Sequence, residues 1–331
     1  MEPLVSICCA AYNHSKYIAQ TLDGFLSQRH GFPIEILVHD DASTDGTAGI
    51  IRGYAEKHPD IIRPRFQLEN QYSKNIPINE TFNFPRSRGK YIALCEGDDY
   101  WCDADKLQRQ ISYMENNPSC TFSFTNGYIH DETGIAPDRE FLPYYESERK
   151  WYRGKSSRYS LDEIARLSFI PTASFVFRTD ALNGLPREFH EKACQHGDLR
   201  MKLYLTAAGY AWYEHVYGCV YRENVSGSAM RIWDRESRKQ LYDRCRTVVD
   251  MVGDVDRYSQ GRGHDGLQTV KERYLRVMAN SAPNWATLRN GEVGSVYHAL
   301  PMEERRRCML RLMLPEAFLG WIAALRKGKK G

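Results

Sequence analysis

Two short apolar runs in this chain each end on a pair of aspartates, and that arrangement limits the fold more than any other feature. The first run, Ile34-Glu35-Ile36-Leu37-Val38-His39, closes on Asp40-Asp41 and continues as Ala42-Ser43-Thr44-Asp45-Gly46-Thr47. The second, Tyr91-Ile92-Ala93-Leu94-Cys95-Glu96-Gly97, closes on Asp98-Asp99 and continues as Tyr100-Trp101. Apolar runs this short, bounded by turn residues, suit strands buried on both faces. In an open α/β sheet, ligands sit in the crevice outside the carboxyl ends of the strands. Carboxylates delivered there can grip a ribose, a base edge or a hard divalent cation that carries a diphosphate. The pattern points to a nucleotide-using enzyme.

The rest of the chain keeps the same rhythm. Residues 4–11 form another buried-strand run, broken by Tyr12-Asn13-His14. A helix is expected over about 16–28, with Ile18, Leu22, Phe25 and Leu26 on one stripe. The strand over 34–39 leads to a helix at about 47–57, ended by His58-Pro59. A weaker strand near 61–68, a short helical segment and the strand at 90–95 follow. Asp103 can cap a helix over about 104–116, which Pro118 stops, and residues 120–129 read as a strand. Residues 137–160 are charged, tyrosine-rich and without clear periodicity, which predicts a long, mobile, functional loop. A helix near 160–167, a strand around 172–178, a helix from Asp198 to Ala208 and a strand near 211–222 complete the core. Beyond about Ile232 the chain reads as helical and polar, with a break over 261–266. Strands alternating with helices make a parallel sheet covered by helices.

Bulk properties exclude several classes. The chain of 331 residues can bury one large core with an appendage, or two domains. Its net charge of +3 is uneven, because the segment from Pro301 onward carries eight Lys or Arg against three Glu, or +5, leaving −2 for the first three hundred residues. The body therefore has no nucleic-acid-type positive field. Nine scattered cysteines, none in a Cys-x-x-Cys pair, read as reduced thiols of a cytoplasmic protein. No secretory leader is read at the start, and no run reaches the ~18 apolar residues of a membrane span.

No Gly-x-Gly-x-x-Gly follows the first strand; Ala11-Tyr12-Asn13 stands there, and no Walker-type loop occurs. Bound phosphates must then be neutralised by a metal or by side chains, which makes Asp98-Asp99 the natural metal site.

At these residues the chain resembles a known family. Pro3-Leu4-Val5-Ser6-Ile7 with Tyr12-Asn13, the turn from Asp40 to Thr47, and Glu96-Gly97-Asp98-Asp99-Tyr100-Trp101 with Lys106 and Gln110 look like family-2 glycosyltransferases of the GT-A fold. The resemblance is strong over about 3–118 and continues more weakly to about 228 through residues 172–178, Gly197-Asp198 and Tyr221-Arg222. It implies an inverting transfer of sugar from a nucleotide donor, usually UDP-linked, with Mn2+ or Mg2+. Carried over by position, Asp41 would contact the base, Asp98 the ribose or metal, and Asp99 the metal that bridges the diphosphate. Ala11, Tyr12, Asn13 and Arg222 would line the nucleotide sugar, and Asp198 would act as general base. Many relatives carry a His two residues after the Tyr-Arg pair; Asn224 stands there instead, so Arg222, or His196 as a further metal ligand, would have to substitute.

The domain organisation that follows is a GT-A unit over 1–230, with a nucleotide-sugar half at about 1–118 and an acceptor half at about 119–230 that includes the tyrosine-rich loop. A mainly helical region over 231–331 ends in a basic amphipathic tail. Within 305–330, Phe318, Trp321, Ile322 and Leu325 lie between basic clusters, which suits peripheral contact with an anionic membrane on its cytoplasmic face; packing on the body is the plain alternative. The expected acceptor is a glycan or polyprenyl-linked precursor in surface polysaccharide or glycoconjugate assembly. Two rivals remain. A sugar-nucleotide nucleotidyltransferase would carry a glycine-rich basic loop after the first strand, and an inactive nucleotide-sugar-binding subunit would not need the intact aspartate set.

Overall fold

A computed structural model of the chain describes residues 2–192, 194, 196–225 and 236–313. Among them, ten strands form one mixed sheet. They are β1 (Val5–Ala11), β2 (Ile34–Asp40), β3 (Ile62–Phe66), β4 (Tyr91–Leu94), β5 (Tyr100–Trp101), β6 (Cys120–Asp131), β7 (Arg139–Glu140), β8 (Ser157–Tyr159), β9 (Val176–Arg178) and β10 (Tyr210–Glu223). Their order is β3-β2-β1-β4-β9-β6-β10-β5, with β7 added to β6 and β8 to β10. β3, β2, β1 and β4 are parallel, as are β6 and β10. The antiparallel members β5, β7, β8 and β9 have only two or three residues each. The long strands thus run one way, the expected mainly parallel sheet.

Helices cover both faces: α1 (Ile18–Leu26), α2 (Thr47–Lys57), α3 (Lys106–Asn116), α4 (Leu161–Arg166), α5 (Thr179–Asn183), α6 (Arg187–Glu191) and α7 (Gly197–Ala208). Alternation along β1 explains why two layers form. Val5, Ile7, Cys9 and Ala11 join Leu22 and Phe25 of α1 and Leu107 and Ile111 of α3 in one core. Cys8 faces the other core with Leu37, Leu94, Phe122 and Phe175. C-terminal helices follow: α8 (Arg238–Tyr258), α9 (His264–Ser281), α10 (Trp285–Arg289), α11 (Gly291–Ala299) and α12 (Met302–Met313). α8 and α9 send Val248, Val252, Leu267 and Val270 into the sheet core and pack with α11 and α12 around Val249, Met278, Val293 and Cys308.

α7 is buried all round from Leu199 to Ala207 although it carries Arg200 and Lys202. A helix so enclosed is tolerated only if its charges find partners. The Lys202 ammonium donates to the carbonyls of Leu167 and Ser168, and burial pushes it down to about 8. Arg200 donates to the Lys192 carbonyl at 2.8 Å and to the Glu80 carboxylate.

Three local expectations change. The segment 137–160 is pinned rather than loose: it contains β7, β8 and a turn at Glu146–Glu148, and Phe141, Leu142, Glu148 and Tyr159 are buried. Asp103 does not cap α3, which starts at Lys106; its carboxylate accepts the Asp105 N–H at 3.0 Å and pairs with Arg109. Over 172–178, Thr172–Ser174 is a tight turn and only Val176–Arg178 is strand. All nine cysteines are free thiols, Cys102 exposed and Cys194 half-buried. Among the described residues no helix is long and apolar enough to cross a membrane. Residues 314–331, which include most of the proposed membrane tail, lie outside the described residues. The part before them, α12, packs Cys308, Met309 and Leu312 against its own helical neighbours.

Candidate active site

The loops after β1 and β2 are laced together at the carboxyl edge of the sheet. Asn13, at φ +56°, donates its N–H to Ser43 Oγ at 2.8 Å and accepts the Thr44 N–H at 2.8 Å. Asp45 accepts from the Ser15 N–H at 3.0 Å, the Thr47 N–H at 3.1 Å and the Thr47 hydroxyl at 2.6 Å, which ties the loop after β1 to the start of α2. The Asp41 N–H donates to the Ala11 carbonyl, and Gly97 N–H donates to Ala10, so both aspartate turns hang on the end of β1. A Cβ on Gly97 would lie 2.9 Å from both Ala11 Cβ and His14 Nδ1, which excludes any side chain there.

The Asp41 carboxylate is buried and receives the N–H groups of Gln71 and Tyr72 at 2.8 and 2.9 Å. It shapes the chain after β3, with His39 Nε2 3.7 Å away. His39 is fully buried and stacks on Phe82 at 4.7 Å. Burial drives its ring down to about 4, against the pull of Asp41, so it is neutral in the folded protein.

Three carboxylates, Glu96, Asp98 and Asp99, crowd one turn. Asp99 is 3% exposed, and burial, then the charges of Asp98 and Glu96, raise its carboxyl well above the usual range. Glu96 is raised to about 7, first by burial and then by Asp98 and Asp198. One of its oxygens has no hydrogen-bond partner among the described residues. Asp98 is the outward member, 18% exposed, with His14 Nε2 3.6 Å from Oδ2.

Arg222 of β10 closes this turn. Its N–H donates to Asp99 Oδ1 at 2.9 Å, and its guanidinium donates to the Asp98 carbonyl and to Gln20. Nε pairs with Glu132 at 3.0 Å, while the Tyr17 and Tyr100 rings lie 4.9 and 4.6 Å from the guanidinium. Asn224, two residues after Arg222, donates to Asp131 at 2.8 Å.

Asp198 sits in the first turn of α7, close enough for its charge to act on Glu96 and Lys202. His196, beside it, has Nε2 2.8 Å from the Arg244 guanidinium of α8, which makes Nε2 the acceptor, and packs edge-on to Tyr274 of α9. Burial lowers its ring to about 4.

The structure therefore gathers Ala11, Asn13, Asp98, Asp99 and Arg222 at one strand end, with the exposed ring of Tyr12 beside them. Asp41 stands one strand over, and Asp198 approaches from α7. Sequence reasoning missed His14, Gln20, Tyr17 and Glu132. His14 adjoins Tyr12-Asn13 and was within reach; Glu132 carries no local signal, because it matters only through the β6–β10 pairing. Glu96 was quoted as part of its motif but given no role. Cavities of about 180 and 260 Å³ lie elsewhere, beside α4 and beside α8, and include none of these residues. No group of three His, Cys, Asp or Glu among the described residues forms a ready-made metal cage. The site's fit to a cation rests instead on the outward Asp98 carboxylate, whose charge raises both buried Asp99 and half-buried Glu96, with a bound diphosphate left to supply further oxygens.

A helix-covered sheet with aspartate pairs beyond β2 and β4, clamped by an arginine from β10, defines a GT-A fold of the glycosyltransferase class. The chain belongs to glycosyl transferase family 2, whose family model matches residues 6–185. An uncharacterised protein of Mycobacterium tuberculosis (strain ATCC 25618 / H37Rv) is 39% identical over 176 residues, 53% of this chain and 46% of that protein. The Escherichia coli UDP-Glc:alpha-D-GlcNAc-diphosphoundecaprenol beta-1,3-glucosyltransferase WfaP is 36% identical over 135 residues, 40% of this chain and 50% of its own. The chain thus spans about half the length of the curated relatives it matches. Among solved structures, S. aureus TarS 1-349 in complex with UDP-GlcNAc aligns with TM-score 0.56 at 16% identity, covering 94% of this chain and 80% of that one. The mannosyltransferase PcManGT from Pyrobaculum calidifontis, in complex with GDP-Man and Mn2+, aligns with TM-score 0.51 at 16% identity, covering 94% and 84%. At those identities the likeness is one of fold.

Proposed function

We infer that this chain transfers a sugar, with inversion, from a UDP-linked donor to a glycan or polyprenyl-linked acceptor in surface polysaccharide or glycoconjugate assembly. One observation carries the reading: Asp98, Asp99 and Arg222 converge at the strand ends while Asp198 enters from a separate helix within electrostatic reach. Asp41 and the Ala11-Tyr12-Asn13 loop hold the nucleoside, and Asp98 offers the outward oxygens to ribose and metal. Asp99 and Arg222 fix that turn from behind. Asp198 accepts the proton of the attacking acceptor hydroxyl, which a carboxylate within hydrogen-bond reach does efficiently. Mn2+ or Mg2+, when bound, neutralises the diphosphate and eases its departure. The names of WfaP and of the UDP-GlcNAc-bound and Mn2+-bound structures support the donor, metal and lipid-linked acceptor classes. His196 is engaged by Arg244, so we assign it to the support of Asp198 rather than to the metal. The basic segment beyond Met313 supplies peripheral contact with the cytoplasmic face of an anionic membrane.

A thermal-shift screen of UDP-, GDP- and dTDP-sugars with and without Mn2+, followed by assay of nucleotide release, tests the reading. Stabilisation by one donor and metal-dependent release support it. Binding without any release, with and without acceptor extracts, would leave an inactive binding subunit.

A further inference from the structure

An aromatic string crosses the ground between the two carboxylate centres. It begins at Tyr221 of β10, whose phenol is pushed above its usual range by burial and then by the charges of Asp99 and Asp98. Tyr221 meets Phe141 edge-on at 5.7 Å, Phe141 meets Tyr144 at 5.4 Å, and Tyr144 meets Phe169 at 4.8 Å and Tyr145 at 5.0 Å. At its far end the string reaches α7: Ser168, next to Phe169, receives at its carbonyl the ammonium of Lys202, four residues after Asp198. The Ser168 N–H donates to Glu148 at 3.0 Å, which ties the 144–148 segment to the same point.

From Phe141 outward exposure rises. Phe141 is buried, Tyr144 and Phe169 are half-buried, and Tyr145 is 48% exposed. Tyr145 thus presents an open ring at the end of a packed aromatic cluster. The rim is polar: the Tyr144 hydroxyl donates to Glu223 at 3.3 Å, and Glu223 pairs with Arg139 at 2.9 Å. Aromatic faces edged by hydroxyls and an ion pair match a sugar ring, which has an apolar C–H face and hydroxyls at its edge. An isoprenoid chain would need a continuous apolar groove without that ion pair.

We propose that Tyr145, Tyr144 and Phe169 form the acceptor subsite, on which the C–H face of the acceptor's sugar ring stacks between the Asp98-Asp99 turn and Asp198. The assignment rests on the transfer reading above, since the acceptor hydroxyl must meet both the donor and the base. Neither the family match nor the described relatives assign a role to these rings. Tyr144 and Tyr145 lie in the segment 137–160, whose sequence showed no periodicity.

The test is a binding measurement, independent of turnover. Saturation-transfer NMR is recorded on the full chain with UDP and diamagnetic Mg2+ present, using methyl β-glycosides of glucose, galactose and N-acetylglucosamine, with farnesyl phosphate as the isoprenoid probe. The expected result is saturation of one ring face of at least one glycoside, reduced about tenfold in Tyr145→Ala and recovered in Tyr145→Phe, which keeps the ring. Phe169→Ala should weaken it in the same direction, with thermal midpoints confirming that both variants fold. No glycoside signal, a signal indifferent to Tyr145→Ala, or a Tyr145-dependent signal from farnesyl phosphate instead would overturn the subsite. Ring-dependent glycoside binding in a protein that releases no nucleotide would keep the subsite and remove the transfer reading.

Discussion

The backbone N–H of Arg222 donates to Oδ1 of Asp99 across 2.9 Å, so a residue on β10 holds the carboxylate that follows β4. The same residue's guanidinium takes the Asp98 carbonyl, Gln20 and Glu132. One side chain thus fixes the turn that presents Asp98 and joins the two halves of the sheet. A buried carboxylate would be costly without that bond.

Arg222→Ala should weaken UDP binding by roughly ten- to a hundredfold, the scale of losing charge-assisted hydrogen bonds. It should also lower the thermal midpoint, because Glu132 loses its guanidinium partner and keeps only the Tyr17 hydroxyl and His130 nearby. Arg222→Lys should recover only part, since an ammonium cannot serve the same fork of acceptors. Titration calorimetry reads the affinity; unchanged binding in Arg222→Ala removes Arg222 from the donor site.

Asp198→Asn should still bind UDP and metal yet transfer sugar at least about a hundredfold more slowly, the usual scale for loss of a general base. If donor affinity falls while turnover holds, Asp198 is a structural or donor-binding residue.

His39 gives a pH signature. Its ring is neutral when folded, with the titration pressed to about 4, against 6.5 ordinarily. Between those values the unfolded chain binds more protons than the folded one, so stability must fall as pH drops from 6.5 toward 4. A displacement of that size corresponds to about 3 kcal/mol. Thermal midpoints of wild type and His39→Gln across that window check it: the wild type should fall more steeply, and parallel curves would contradict the assignment.

Much of this was legible in the sequence because strands buried on both faces read as unbroken apolar runs. β1, β2 and β4, and the aspartate pairs that follow β2 and β4, were found that way, and α2 was placed to the residue. The segment 137–160 was not legible, because its anchors Phe141, Leu142 and Tyr159 are spaced by turns rather than by a helix or strand period. The partners of Arg222 were hidden for another reason. Gln20 and Glu132 lie far from it along the chain: Glu132 meets it once β6 and β10 pair, and Gln20 is carried to it by α1. α7 showed as a helix, but nothing local revealed that it would be enclosed on every side.

The tail prediction needs a boundary set by the fold. Cutting at Leu300 would remove α12 and expose the core around Cys308, so truncation belongs after Met313. The remaining segment carries four Lys or Arg against one Glu. Its removal should abolish salt-sensitive binding to anionic liposomes, to which each basic residue contributes on the order of 1 kcal/mol. A full chain that ignores such liposomes would end the membrane reading.

The central claim is that the Asp98-Asp99 turn binds a nucleoside diphosphate through a divalent cation. Calorimetric titration of UDP into the wild type, Asp98→Asn and Asp99→Asn proteins, each with Mn2+ and with EDTA, tests it directly. Mn2+ should strengthen UDP binding to the wild type by at least about tenfold, a coupling of roughly 1.4 kcal/mol. Both variants should stay folded and lose that gain. Equal UDP affinity in Mn2+ and EDTA, or a Mn2+ gain that survives in both variants, would contradict the account.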